Sequence, residues 1–199
     1  MQIKKVVLGS FEENAYILIQ EESREAIIID PGAEEEKLIT YLKELNIKLK
    51  YILLTHGHVD HVGAVDALRD AFDVPVYISK VDMNYIEKKK MAFGPMKRAD
   101  FFIKEGDELF FGNNKIMILD TPGHSKGSLS FLIEGTLFSG DVLFQNSIGR
   151  TDLPGGDFDE LIESIKTKLF PLPDKTQVMP GHGPQTTMGM EKSFNSYLR

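Results

Sequence analysis

Three of the five histidines in this chain fall within six residues, His56-Gly57-His58-Val59-Asp60-His61. At this composition an H-x-H-x-D-H pattern arises by chance about two times in ten thousand, so it calls for a chemical explanation. Imidazoles at such spacing need a partner, and divalent metal ions are the commonest one. In an extended loop residues i and i+2 face the same side, so His56 and His58 can grip one ion, while Asp60 and His61 can turn toward a second. Imidazole with carboxylate is a borderline-to-hard donor set that suits zinc, iron or manganese. The other two histidines, His124 in Thr121-Pro122-Gly123-His124-Ser125 and His182 in Pro180-Gly181-His182-Gly183-Pro184, each follow an apolar run and sit beside glycine. Such positions are freed from packing and presented to a pocket. Among 14 Asp, Asp141 in Phe138-Ser139-Gly140-Asp141 also stands at a strand end, and beside two incomplete metal sites it reads as a bridging carboxylate. Asp82 belongs to none of these motifs and reads as an indifferent acid.

These residues must be positioned by one domain of ordinary size: 199 residues, 42% hydrophobic and 27% charged, is a globular composition. Short strand-like runs open the chain, IKKVVLG, AYILIQ and EAIIIDPG, and read as a meander ended by the Pro31-Gly32 pair. Leu38, Ile39, Tyr41, Leu42 and Leu45 recur at helical spacing and predict a helix over about 34–46. The run Tyr51–Thr55 predicts a strand covered on both faces, leading through the histidine cluster into a helix carrying Val62, Val65, Leu68 and Phe72. VPVYIS follows as a strand and 80–90 as a helix; 91–100 reads as a loop, and residues 88–98 could form a lid over the site. The second half repeats the grammar, with strands near 107–111, 115–120, 128–133 and 136–139, a helix over about 157–169, a short strand near 177–179 and a final helical stretch. Two runs of strands, each followed by helix, predict two sheets face to face with helices outside.

The composition also excludes. With 23 basic and 30 acidic residues the formal charge is -7, which gives no overall attraction for nucleic acid or an anionic membrane. There is no apolar stretch of membrane-spanning length and no secretory apolar region near the N-terminus. Zero Cys removes disulfides, thiol nucleophiles and thiolate zinc sites, and fits a reducing cytoplasm.

The segments IIIDPG, THGHVDH, TPGHSKGS, FSGD and PGHGPQT, in this order over the whole chain, resemble the metallo-β-lactamase superfamily, and within it the glyoxalase II-like (hydroxyacylglutathione hydrolase-like) group. The resemblance implies a mixed α/β fold, a four-layer αββα sandwich with the site at one edge of the paired sheets. Position by position, it implies that His56, His58 and His124 hold a first metal, that Asp60, His61 and His182 hold a second, and that Asp141 bridges them. An Asp at position 30 would brace the ligand loop from behind. Absence of Cys departs from the β-lactamases with a Cys ligand, and His58 departs from the flavodiiron type. The chain runs only 17 residues beyond His182, so the C-terminal helical domain by which glyoxalase II holds glutathione is not expected. The segment 147–154 looks instead like the short, single-domain hydrolases of this group, although its Gly149-Arg150-Thr151-Asp152 also resembles the persulfide dioxygenases.

What the resemblance implies chemically is a hydrolase with two divalent metal ions, zinc first, with iron or manganese as alternatives. It would cleave a small-molecule thioester by metal-activated water, with Asp60 and Asp141 in the reacting centre. Arg150, near the metals, is expected to anchor a substrate anion through two N–H donors, the alternative being a pair with Asp152 or Asp157 that merely shapes the loop. The rival expectation is an oxidoreductase with one iron held by His56, His124 and Asp141, acting on a persulfide. Action on lactones or other esters is a further alternative.

Overall fold

In the central strands successive side chains enter different apolar layers, and this alternation builds the molecule. The computed structural model describes residues 1–199. The first sheet has the order β1 (Gln2–Leu8), β2 (Glu13–Ile19), β3 (Glu25–Ile29), β4 (Lys48–Leu53), β5 (Val76–Ile78), β6 (Phe101–Phe102). Its first three strands form the antiparallel meander read from sequence, and β3 to β6 are parallel. Ile17, Ile28 and Ile52 point toward the layer of α1 (Glu35–Glu44), α2 (Val59–Val62), α3 (Val65–Phe72) and α4 (Lys80–Glu87). Their neighbours Leu18, Ile27, Ile29, Tyr51 and Leu53 point the other way, into a second apolar layer shared with Ile116, Ile118, Phe131 and Phe138. All seven residues of β2 are buried, as expected of a strand covered on both faces.

The second sheet has the order β14 (Thr186–Thr187), β13 (Gln177–Pro180), β10 (Thr136–Gly140), β9 (Leu129–Ile133), β8 (Asn114–Asp120), β7 (Leu109–Phe111). Only β10 and β13 run parallel within it. Its outer face carries a third apolar layer, in which Leu137 and Val178 meet Leu161, Ile165 and Leu169 of α5 (Phe158–Ser164) and the π-helical turn that continues it (Ile165–Leu169), and Met188 of α6 (Met188–Phe194). Helix, sheet, sheet, helix is therefore the layer order, the αββα sandwich expected from the sequence. No helix is long and apolar enough to cross a membrane.

Differences from the sequence reading are local. The helix expected after the histidine cluster is split into α2 and α3, so Asp60 and His61 lie in a single short turn of their own. The hairpin of β11 (Leu143–Phe144) and β12 (Ser147–Ile148), together with β6 and β14, is made of two-residue strands too short to show a period.

The two sheets are tied at the edge where the motif loops gather. Asn14 at the start of β2 donates its backbone N–H to Gly181 O at 2.7 Å and its side-chain amide to Pro180 O at 2.9 Å. The Tyr16 hydroxyl donates to the same Pro180 carbonyl at 2.7 Å, and its ring meets Phe138 edge-on. Buried bonds of this kind contribute about 1 kcal/mol each and, more importantly, fix the distance between sheets.

Candidate metal centre

Every histidine of the chain, with Asp60 and Asp141, arrives at this one edge. Strand β4 ends at Leu53, and the chain then carries His56 and His58 into α2. His124 follows β8, Asp141 follows β10 and His182 follows β13, so strand ends of both sheets deliver donor side chains to a common point. His56, His58, His61 and His124 are each at most 3% exposed, and Asp141 is 9% exposed.

Two donor clusters result, beside a third grouping of Asp30 with His56 and His61 that shares one histidine with each. In the first, His58 Nδ1 and His56 Nε2 lie 2.9 and 3.2 Å from His124 Nε2. Nitrogens on a tetrahedral zinc at 2.0–2.1 Å would be about 3.3 Å apart, so the three rings already stand close to a metal-bound arrangement. Burial and mutual repulsion hold their pKa values down, His58 to about 3, and leave neutral rings with lone pairs to offer. In the second, Asp60, His61 and His182 converge, with Asp60 Oδ2 3.3 Å from His182 Nε2. Asp141 faces both clusters: Oδ1 is 3.4 Å from His61 Nε2, and Oδ2 is 3.6 Å from His124 Nε2 and 3.5 Å from His182 Nε2. His61 Nε2 and Asp141 Oδ1 are buried without a hydrogen-bond partner. Orphaned buried polar atoms are costly unless something ligates them, and this donor set fits divalent cations.

The far nitrogens of four of the five histidines are held from behind, which sets their tautomers, while that of His58, Nε2, is buried without a partner. Asp30 Oδ2 is 3.0 Å from His61 Nδ1, and the same carboxylate accepts Thr55 N at 2.8 Å and Thr55 Oγ1 at 2.5 Å. His124 Nδ1 donates to Arg150 O at 2.8 Å, His182 Nδ1 to Phe11 O at 3.0 Å, and His56 Nδ1 lies 3.0 Å from Thr55 Oγ1. In these four rings Nε2 is thereby left free for a metal. Burial works against an imidazolium at His61, but Asp141 and Asp30 outweigh it and push its pKa well up. Asp141 is held far down, since the surrounding histidines overcome its burial.

The centre lies at the base of a cleft of about 540 Å³ with an apolar rim of Phe11, Val59, Ala92, Phe144 and Leu153. Arg150 lines the cleft as well, but its guanidinium is paired with Asp152 through two bonds of 2.7 Å, the alternative weighed for it above. Segment 88–98 is a wall of the site: Val59 N donates to Ala92 O, Gly94 N donates to Gly57 O, and the Phe93 ring stands against His58. A freely closing lid would carry no such backbone pairing to the ligand loop.

Two buried carboxylates had no signal in the motifs. Glu13, 1% exposed, has both oxygens unpartnered beside His61, and burial pushes its pKa well up. Asp82, fully buried, accepts Gly57 N at 2.9 Å, Ser125 Oγ at 2.7 Å and Gly127 N at 2.8 Å. The reading of Asp82 as an indifferent acid is therefore wrong. Its sequence context, Ser79-Lys80-Val81-Asp82, is that of a helix N-terminus, and Ser79 Oγ does accept the Asp82 N–H, but the carboxylate turns away to the ligand loops.

The family profile described as "Metallo-beta-lactamase superfamily" matches residues 9–182. Hydroxyacylglutathione hydrolase GloC of Haemophilus influenzae is 40% identical over 210 residues, with 100% of this chain and 98% of the relative covered. Among solved structures, the BLEG-1 B3 metallo-beta-lactamase is 43% identical with a TM-score of 0.92, covering 99% of each chain. TTHA1623 in a di-iron-bound form is 40% identical with a TM-score of 0.88, covering 98% of this chain and 100% of that one.

Proposed function

The chain belongs to the metallo-β-lactamase superfamily, and from that premise we propose that it is a binuclear metallohydrolase acting on a small-molecule thioester. The observation that carries this reading is Asp141 placed between two three-residue clusters: seven donors exceed what one ion needs, and a shared carboxylate suits a pair. When bound, two divalent cations would acidify a water and polarise the substrate carbonyl. His56, His58 and His124 would hold one ion, Asp60, His61 and His182 the other, and Asp141 both. Zinc is the ion to test first, and the di-iron relative makes iron the second.

The chain's own groups supply orientation. Asp30, Phe11 O and Arg150 O fix three imidazoles, so no ring has to reorient as charge develops in the transition state. Similarity to GloC, a hydroxyacylglutathione hydrolase by name, supports a hydroxyacyl thioester as the substrate, and the net charge of -7 supports a small molecule over nucleic acid or an anionic membrane. The lack of cysteine supports a cytoplasmic setting.

A panel of glutathione and other thioesters, a lactone, a β-lactam and a persulfide tests the reading. Thioester cleavage without oxygen consumption is expected, with saturation only at high substrate. Turnover confined to the β-lactam, or coupled to oxygen uptake, would falsify it.

Arg150 gives a finer test. An exposed ion pair is worth only about 0–1 kcal/mol, so a substrate carboxylate can compete with Asp152 for the guanidinium. Arg150→Ala should raise KM for an anionic thioester roughly fivefold at unchanged Tm, and Asp152→Ala should lower it. If KM stays put in both and Tm falls, the pair only shapes the loop.

A further inference from the structure

The two halves of the ligand loop are braced from different sides. Asp30 holds Thr55 and His61. Asp82, from the first turn of α4, holds the backbone N–H of Gly57, which stands between His56 and His58. The same carboxylate takes the hydroxyl proton of Ser125, the residue after His124, and the backbone N–H of Gly127. Each imidazole of the three-histidine cluster is therefore one residue away from a group bonded to Asp82. Asp60, His61 and His182 have no such link.

The surroundings are built around this carboxylate. Because the Ser125 proton goes to Asp82, the 2.7 Å contact between Ser125 and Ser128 hydroxyls must be donated by Ser128, whose oxygen accepts Ser125 N in turn at 3.1 Å. A Cβ on Gly127 would lie 2.5 Å from Asp82 Oδ1, so only glycine lets loop 121–128 approach this closely. Gly57 packs against Ile86, one turn further along the same helix. Helix α4, the histidine loop and the His124 loop thus meet at one side chain, and three donors share its two oxygens.

We propose that Asp82 is a positioning residue for the ion of the three-histidine cluster: it sets the spacing between loops 55–61 and 121–128, and with it the affinity for a divalent cation there, without touching the ion. The proposal rests on the two-ion reading given above. Asparagine in its place keeps the shape but offers one acceptor oxygen to three donors. Partners that orient ligands in this way are worth about 10- to 100-fold in metal affinity.

The test is titration of metal-free wild type, Asp82→Asn and Gly127→Ala with Co(II) against a chromophoric chelator, with the visible spectrum of the bound ion recorded at each step. Wild type should bind two ions. Both variants should bind one of them about 10- to 100-fold more weakly, with an altered spectrum for that ion and the other unchanged within about twofold. A folded Asp82→Asn protein with both affinities and spectra of wild type overturns the proposal, and so does equal weakening of both ions. Should Asp82→Asn not fold, Ser125→Ala, which removes one of the three donors, is read by the same criteria. Wild type that binds a single ion overturns the two-ion reading instead, an outcome seen without any variant.

Discussion

Replacing Asp141 by alanine is expected to lower kcat/KM by about two to three orders of magnitude, comparable with removing a principal electrostatic stabiliser from an active site. The same change should cut bound metal from two equivalents to one or fewer. The reason is placement: Oδ1 of this carboxylate faces His61 of the second cluster, and Oδ2 lies between His124 of the first and His182 of the second. Removing a terminal ligand such as His182 weakens one site, whereas removing Asp141 leaves both short of a donor and strips the charge that balances two cations. Asp174→Ala, on the surface and paired with Lys192, is the comparator and should keep both metal and activity. Metal content in Asp141→Ala equal to that of the comparator would remove the bridging assignment.

Chelation is the second large effect. Stripped of metal, the protein should lose hydrolysis entirely and melt lower, because buried atoms such as His61 Nε2 and Asp141 Oδ1 then have no partner. A ligand present at about a thousand times its Kd stabilises a fold by about 4 kcal/mol. For a chain of this size that corresponds to a Tm shift of about 8–16 °C per strongly bound ion. Calorimetry with and without chelator, with activity restored by adding back zinc or iron, measures both consequences. Full activity with one equivalent of iron and a requirement for oxygen would instead assign the centre to the facial triad of His56, His124 and Asp141.

How much of this was legible in the sequence follows from the range over which each signal acts. The convergence of donor side chains was readable because His56, His58, Asp60 and His61 are neighbours in the chain, and because His124, Asp141 and His182 each follow a strand with a turn residue beside them. The layers were readable because β2, β3 and β4 are apolar on both faces, and a doubly covered strand needs a second sheet or a helix on either side. Asp82 was not readable, since its sequence neighbourhood advertises a helix cap and its three bonds are made to residues 25 to 45 positions away. Glu13 shares this: nothing local marks a carboxylate that lies beside His61. Segment 91–100 showed its glycine and proline but not that its backbone pairs with the histidine loop. Arg150 could be placed near the metals, yet which partner its guanidinium takes is decided by loop geometry that no pattern records.

The tie between Asn14, Tyr16 and the carbonyls of Pro180 and Gly181 has a consequence in time as well as in space. A ribosome makes His56, His58 and His124 well before it makes His182, which lies 58 residues further on. At about 5–20 residues per second that interval is about 3–12 s, long compared with the collapse of a chain segment. During it the nascent chain owns a full set of three imidazoles but only part of the second cluster, and β2 has no partner for Asn14 and Tyr16 at its exposed end. Translation thus separates the two sites: the three-histidine donors exist first, and the other set is completed only when the last strand-end loop docks on the first sheet.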